Sequence, residues 1–160
     1  MFLVPDYNLK SIYDIDLDEL KSKGVKLIMF DLDSTLMVSK SGKYLPETVE
    51  WLNRVKQDFK IVVVSNNNRG KYIDGVREIS DFDVLGSCAK PGTKIIGKYI
   101  TSCGLSKDDC AMVGDRPLTD ILCGKRLGCM TILVGSINAA NEGIPTRFVR
   151  WLERLTIKRG

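Results

Sequence analysis

An α/β fold of three layers, helix on sheet on helix, with a mainly parallel sheet of about five strands, is predicted from three observations. Short apolar runs rich in β-branched residues alternate with helical periods from residue 16 onward, the pattern of strands joined by crossover helices. Every polar cluster of note falls just after one of those runs, where open α/β sheets bind their ligands. The length of 160 residues suits one domain with one core, so 1–160 is expected to be a single unit. Within it, 1–24 is a lead-in and 145–160 a basic amphipathic C-terminal helix.

Asp16 to Lys23, closed by Gly24, reads as a short helix, and Val25 to Phe30 as the first strand. Pro46 starts a helix whose apolar stripe is Val49, Leu52, Val55 and Phe59. Ile61 to Val64 is a short buried strand ending at Ser65. Asn66-Asn67-Asn68 offers capping groups for a helix over 69–79, although Gly75 weakens that helix. Phe82 to Leu85 is a third strand, and Pro91 opens a helix that runs to Ser102 and stops at Gly104. Lys90, preceding a proline, belongs on the loop before it. Cys110 to Val113 is the fourth strand, Thr119 to Leu127 a helix closed by Gly128, and Cys129 to Val134 the fifth strand. Pro145 starts the last helix.

Composition excludes several chemistries. The chain has no histidine, which removes serine triads, cysteine–histidine dyads and histidine-based zinc hydrolases together. Its five cysteines, Cys88, Cys103, Cys110, Cys123 and Cys129, contain no Cys-x-x-Cys pair, so they suggest buried reduced thiols. No apolar run approaches a membrane span, and Met1 to Val4 leads directly into Pro5 and Asp6. A soluble cytoplasmic protein is expected, with peripheral membrane contact as its refinement. A net charge of +4 does not by itself imply nucleic-acid binding.

The chemistry is concentrated at four strand ends: Asp31 and Asp33 after the first, Ser65 with Asn66 after the second, Lys90 before Pro91, and Asp115 with Asp120 after the fourth. Asp31 and Asp33 together can bind a divalent cation, or one can attack while the other shuttles a proton. Taken singly, each of these residues also fits a turn or a cap.

In order and spacing they resemble the four motifs of the haloacid dehalogenase-like (HAD) superfamily of aspartate-dependent phosphohydrolases. Asp31-Leu32-Asp33-Ser34-Thr35 matches the first motif, Ser65 the second, Lys90-Pro91 the third, and Gly114-Asp115-Arg116-Pro117-Leu118-Thr119-Asp120 the fourth. Val64-Ser65-Asn66-Asn67, the 113–120 stretch, Gly143-Ile144-Pro145-Thr146-Arg147 and Ser11-Ile12-Tyr13-Asp14-Ile15 are similar to the YqeG-like group of subfamily IIIA, itself similar to mitochondrial phosphatidylglycerophosphatases. The resemblance implies a Rossmann-like domain and a phosphatase that uses magnesium. It implies Asp31 as nucleophile, giving an aspartyl-phosphate, and Asp33 as the acid and base. It further implies Ser65, Asn66 and Lys90 around the phosphoryl group. The implied metal ligands are Asp31, the backbone carbonyl of Asp33, and Asp115. Asp120 is implied as a supporting group that orients Lys90 or a metal-held water, or as a simple first-turn acid.

A phosphate monoester repels a carboxylate nucleophile, so cations must screen it; Lys90 and magnesium suit that task. The gaps after the first and second motifs leave no room for a sizeable cap domain, which suits a large or membrane-presented phosphorylated substrate that itself excludes water. In the last helix, Phe148, Trp151, Leu152 and Leu155 share one face, while Arg147, Arg150, Arg154 and Lys158 lie beside it. That helix fits docking on the sheet first and an anionic membrane surface second, where each basic residue adds about 1 kcal/mol. Two other classes stand beside the phosphatase: a nucleic-acid- or ribosome-associated binding module, the weaker partner assignment, and a membrane-surface adaptor.

Overall fold

The computed structural model describes residues 3–137 of the chain. They build one sheet of six parallel strands: β1 (Tyr7–Leu9), β2 (Leu27–Phe30), β3 (Lys60–Val64), β4 (Asp83–Leu85), β5 (Cys110–Gly114) and β6 (Met130–Val134). Their order is β1-β6-β5-β2-β3-β4. The helices are α1 (Leu17–Ser22), α2 (Pro46–Val55), α3 (Gly70–Glu78), α4 (Lys94–Ser102) and α5 (Leu122–Leu127).

Register puts β2 at the centre, with Phe30 opposite Val63 on one side and Val113 on the other. Because side chains alternate along a strand, β2 divides its residues between two faces. Ile28 and Phe30 join Val63, Val113 and Ile132 against Leu20 of α1, Trp51, Leu52 and Val55 of α2, and Ile73 and Val76 of α3. Leu27 and Met29 join Val62, Val64 and Met112 against Ile96 and Ile100 of α4 and Cys123 of α5. The Phe30 ring meets the Trp51 indole edge-on at 5.7 Å, which ties α2 to the strand that carries Asp31.

Local chemistry explains most boundaries. The Asp16 carboxylate accepts from the Glu19 amide at 3.0 Å and caps α1, and Gly24 ends it at φ 85°. Pro46 occupies the first turn of α2, where its missing N–H costs nothing.

The structure departs from the sequence reading in several places, among them the helix expected over Thr119 to Leu127, which is a π-type turn over Pro117–Ile121 followed by α5. A sixth strand, β1, pairs with β6 at the sheet edge; three residues with a half-buried pattern carry too little periodicity to announce it. The buried face of α2 is Thr48, Trp51, Leu52 and Val55, and Val49 is exposed. The Pro91 helix begins only at Lys94, because residues 89–92 close a turn in which the Gly92 amide donates to the Ala89 carbonyl at 2.8 Å. Asn67 bonds the Arg69 amide at 2.8 Å, so it shapes the turn before α3 and is not its cap. The predicted helix over 145–160 lies outside the described residues.

Between β2 and β3 lie a loop and α2, and between β3 and β4 only α3, so neither gap carries a cap domain. Among the described residues no helix is long and apolar enough to cross a membrane.

Candidate active site

From β2 the chain builds outward through β3 to β4, then returns to the other side of β2 with β5 and β6. The loops after β2 and β5 therefore diverge at a topological switch point, the usual ligand site of an open α/β sheet. Asp31 leaves β2 with its amide still bonded to the Val113 carbonyl at 2.9 Å, and Asp115 leaves β5 next door.

Lys90 reaches this point from the loop after β4. Its ammonium lies 2.8 Å from Asp31 Oδ1 and 2.7 Å from Asp120 Oδ1, and its side chain is only 2% exposed. The Lys90 backbone is clamped by one side chain. Its amide donates to Asn66 Oδ1 at 2.7 Å, while Asn66 Nδ2 donates to its carbonyl at 2.9 Å. Ala89, immediately before, sits in the left-handed region at φ 56°, a conformation that costs a non-glycine residue of order 1–3 kcal/mol and persists only when its surroundings enforce it.

Asp120 comes from a π-type turn over Pro117–Ile121, and its Oδ2 accepts from the Arg116 amide at 3.2 Å. Gly114 makes room for it. A Cβ there would fall 2.2 Å from the Asp120 carboxyl carbon, so glycine is a steric requirement of the Gly-Asp pair. Asp115 is fully buried and accepts from Thr35 Oγ1 at 3.0 Å. Thr35 also lies 3.4 Å from Asp31 Oδ2; having one proton, its hydroxyl favours the shorter contact.

One oxygen from each of Asp31, Asp115 and Asp120 lies within 4.8 Å of the others. Two of the three, Asp31 and Asp120, share Lys90 in a largely buried space. Burial, with the Asp31 charge adding to it, pushes the Asp120 carboxyl up to about 6, against the pull of Lys90. Burial opposes the charge on Lys90, but Asp120 and Asp31 outweigh it and hold the ammonium above its ordinary range.

Asp33 is held apart from this cluster. Ser34 takes a left-handed φ of 71° and donates its amide to the Met37 carbonyl at 2.8 Å, which folds the loop back on itself. Asp33 Oδ1 then accepts from the Tyr72 hydroxyl at 2.6 Å and from the Lys40 amide at 3.0 Å. Ser65 is buried at the end of β3, and its Oγ accepts from the Asn67 amide at 3.0 Å, leaving its own proton to donate.

The structure therefore gathers Asp31, Lys90, Asp115 and Asp120, with Asp33 and Ser65 on adjoining loops. The side chain of Asn66, which the sequence reading assigns to substrate, makes two bonds to the Lys90 backbone. Thr35 and Tyr72 escaped that reading. Thr35 follows Asp31 by one helical turn's spacing and offered a signal; Tyr72 lies 39 residues from its partner and offered none.

The HAD-hydrolase-like family model matches residues 87–147. The chain is 36% identical over 154 residues to the probable phosphatase YqeG of Bacillus subtilis, covering 96% of this chain and 88% of that protein. It is 30% identical to phosphatidylglycerophosphate phosphatase 1, chloroplastic/mitochondrial, of Arabidopsis thaliana, spanning 99% of this chain and about half, 48%, of that longer protein. In fold it is similar to 2-haloacid dehalogenase from Pseudomonas syringae, with a TM-score of 0.58 at 14% identity, covering 79% of this chain and 99% of that one. A HAD phosphatase from Thermococcus onnurineus gives a TM-score of 0.55 at 15% identity, covering 82% and 97%. The chain therefore belongs to the haloacid dehalogenase-like hydrolases, within the YqeG family, and is a phosphatase of that superfamily.

Proposed function

We propose that the chain is a magnesium-dependent phosphatase that hydrolyses a phosphate monoester through an aspartyl-phosphate on Asp31. The observation that carries this reading is the division of labour between two neighbouring acids. Asp31 touches Lys90 and stands among buried charges, whereas Asp33 is held separately by neutral donors.

Asp31 attacks phosphorus, and a carboxylate needs no base to do so at neutral pH. Lys90, fixed through its backbone by Asn66, holds the charge of Asp31 and of the phosphoryl group together. Ser65 donates its free proton to a phosphoryl oxygen. Asp33 gives a proton to the leaving alkoxide and then takes one from the attacking water.

The donor set fits a hard divalent cation: carboxylate oxygens, with no imidazole beside them. Asp31 and Asp115 would hold magnesium, with the backbone carbonyl of Asp33. Both oxygens of Asp120 are engaged, by Lys90 and by the Arg116 amide, which suits it to orient Lys90. When bound, the ion supplies positive charge to the phosphoryl oxygens.

Phosphatidylglycerophosphate is the substrate we put first. The similarity to the Arabidopsis enzyme of that name supports it, as does a site without a cap, which suits a phosphate presented at a membrane surface. A cytoplasmic chain touching an anionic membrane through the helix expected at 145–160 completes the reading. The test is phosphate release from phosphatidylglycerophosphate, phosphopeptides and sugar phosphates, with and without magnesium. Magnesium-dependent release that is greatest from the lipid, and absent in Asp31→Asn, is expected; no release from any of them with magnesium present contradicts the reading.

A further inference from the structure

Asp33 is held by two neutral donors, and both of them address the same oxygen. The Tyr72 hydroxyl donates to Oδ1 at 2.6 Å and the Lys40 amide donates to Oδ1 at 3.0 Å. Among the described residues Oδ2 accepts no hydrogen bond. An oxygen that already receives two donors cannot readily carry a proton as well, so the carboxylic acid form of Asp33 must keep its proton on Oδ2. The two bonds also fix the rotation of the carboxyl group.

Tyr72 is built to hold this geometry. It lies in the first turn of α3, a helix anchored in the core by Ile73 and Val76, and its ring packs against that same core. On its other side runs the loop that follows Asp33: Gly42, at φ 69°, passes so that a Cβ there would lie 3.5 Å from the Tyr72 ring. The Tyr72 hydroxyl also lies 3.5 Å from the Met37 sulfur. One side chain from α3 thus links the helix after the second motif to the acid in the first.

We infer that Tyr72 is a positioning residue for the reaction: with the Lys40 amide it reserves Asp33 Oδ1 and so aims the Oδ2 proton at the leaving group. This rests on the assignment of Asp33 as the acid. As the bond from Asp31 to phosphorus forms and the bond from phosphorus to the leaving oxygen breaks, the Oδ2 proton passes to that oxygen. A phosphate that leaves as a stable phenolate needs the proton far less than one that leaves as an alkoxide, and this separates aim from mere support.

The experiment measures kcat/KM, which reports the steps up to the first transfer, for nitrophenyl phosphate and for glycerol phosphate. Wild type, Tyr72→Phe, Asp33→Asn and the double variant are compared, all with magnesium. A well-placed acid contributes roughly 10²–10⁴-fold, so loss of its aim should cost Tyr72→Phe about tenfold on the alkyl ester. On the nitrophenyl ester the cost should be under about twofold, which also shows that the variant is folded. In the Asp33→Asn background the Tyr72 change should add no further preference for the better leaving group. Equal losses on both esters, or none on either, would mean that Tyr72 only supports the fold, and the inference falls. If Asp33→Asn itself loses the same factor on both esters, the acid assignment fails first and takes this inference with it.

Discussion

The two ends of the sheet carry the same kind of ion pair in opposite settings. At the amino ends of the strands, Lys26 pairs with Asp109 at 3.6 Å and Lys60 with Asp83 at 4.0 Å, with both lysines and Asp83 at least half open to water and Asp109 partly so. At the carboxyl ends, Lys90 pairs with Asp31 and Asp120 at 2.8 and 2.7 Å, with almost no exposure at Lys90 and Asp120. Water screens the first set, so those pairs decorate the surface and contribute little. The second set has lost its hydration and depends on mutual partners, which is costly for folding and useful for charge chemistry. One end of the sheet is solvated scaffold; the other is a preorganised field.

That contrast is open to breakage. The largest effect expected is from Lys90→Met, which strips the buried carboxylates of their counter-charge. A loss of about 3–5 kcal/mol in the metal-free protein at pH 8, read from urea unfolding, is the scale for breaking a buried pair. Magnesium should act in the other direction. If the cluster holds the ion, a concentration of a hundred times its dissociation constant stabilises the fold by about 2.7 kcal/mol. Thermal unfolding should show that rise in the wild type and not in Asp115→Asn.

A pH dependence follows from Asp120. Its folded value, about 6, stands above the ordinary 3.8, so the folded chain binds that proton more tightly than the unfolded one. The resulting stability is full below 3.8 and is lost as pH rises through about 6. In chelator-treated protein, the unfolding temperature of the wild type should therefore fall relative to Asp120→Asn across that window; parallel curves would refute the shift. The smallest effect belongs to the opposite end: Lys60→Met should leave the urea midpoint within error of the wild type.

The same contrast explains what was legible in the sequence. The layered α/β class and five of the six strands could be read because short apolar runs mark them, and Asp31, Ser65 and Asp115 directly follow strands; Lys90 and Asp120 lie five and six residues beyond β4 and β5 and were legible only through the order and spacing of the four motifs. The edge strand Tyr7–Leu9 could not, since its identity comes from pairing with β6 and not from its own pattern. Val49 looked apolar enough to be core, yet Trp51 takes that face by meeting Phe30. Pro91 carries a helix-start signal that the turn closing on Gly92 overrides. The roles of Asn66 and Tyr72 were invisible for a related reason. Each acts on a partner 24 or 39 residues away, and only the packed sheet brings those positions together.

The central claim is that Asp31 carries the phosphoryl group, and it can be tested at that atom. Protein quenched in acid during turnover of a phosphate monoester with magnesium, then digested and mapped by mass spectrometry, should carry a phosphoryl group on Asp31. The label should be absent in Asp31→Asn, which should also release no phosphate. Steady phosphate release with no label on Asp31, or release that survives Asp31→Asn, would contradict the account.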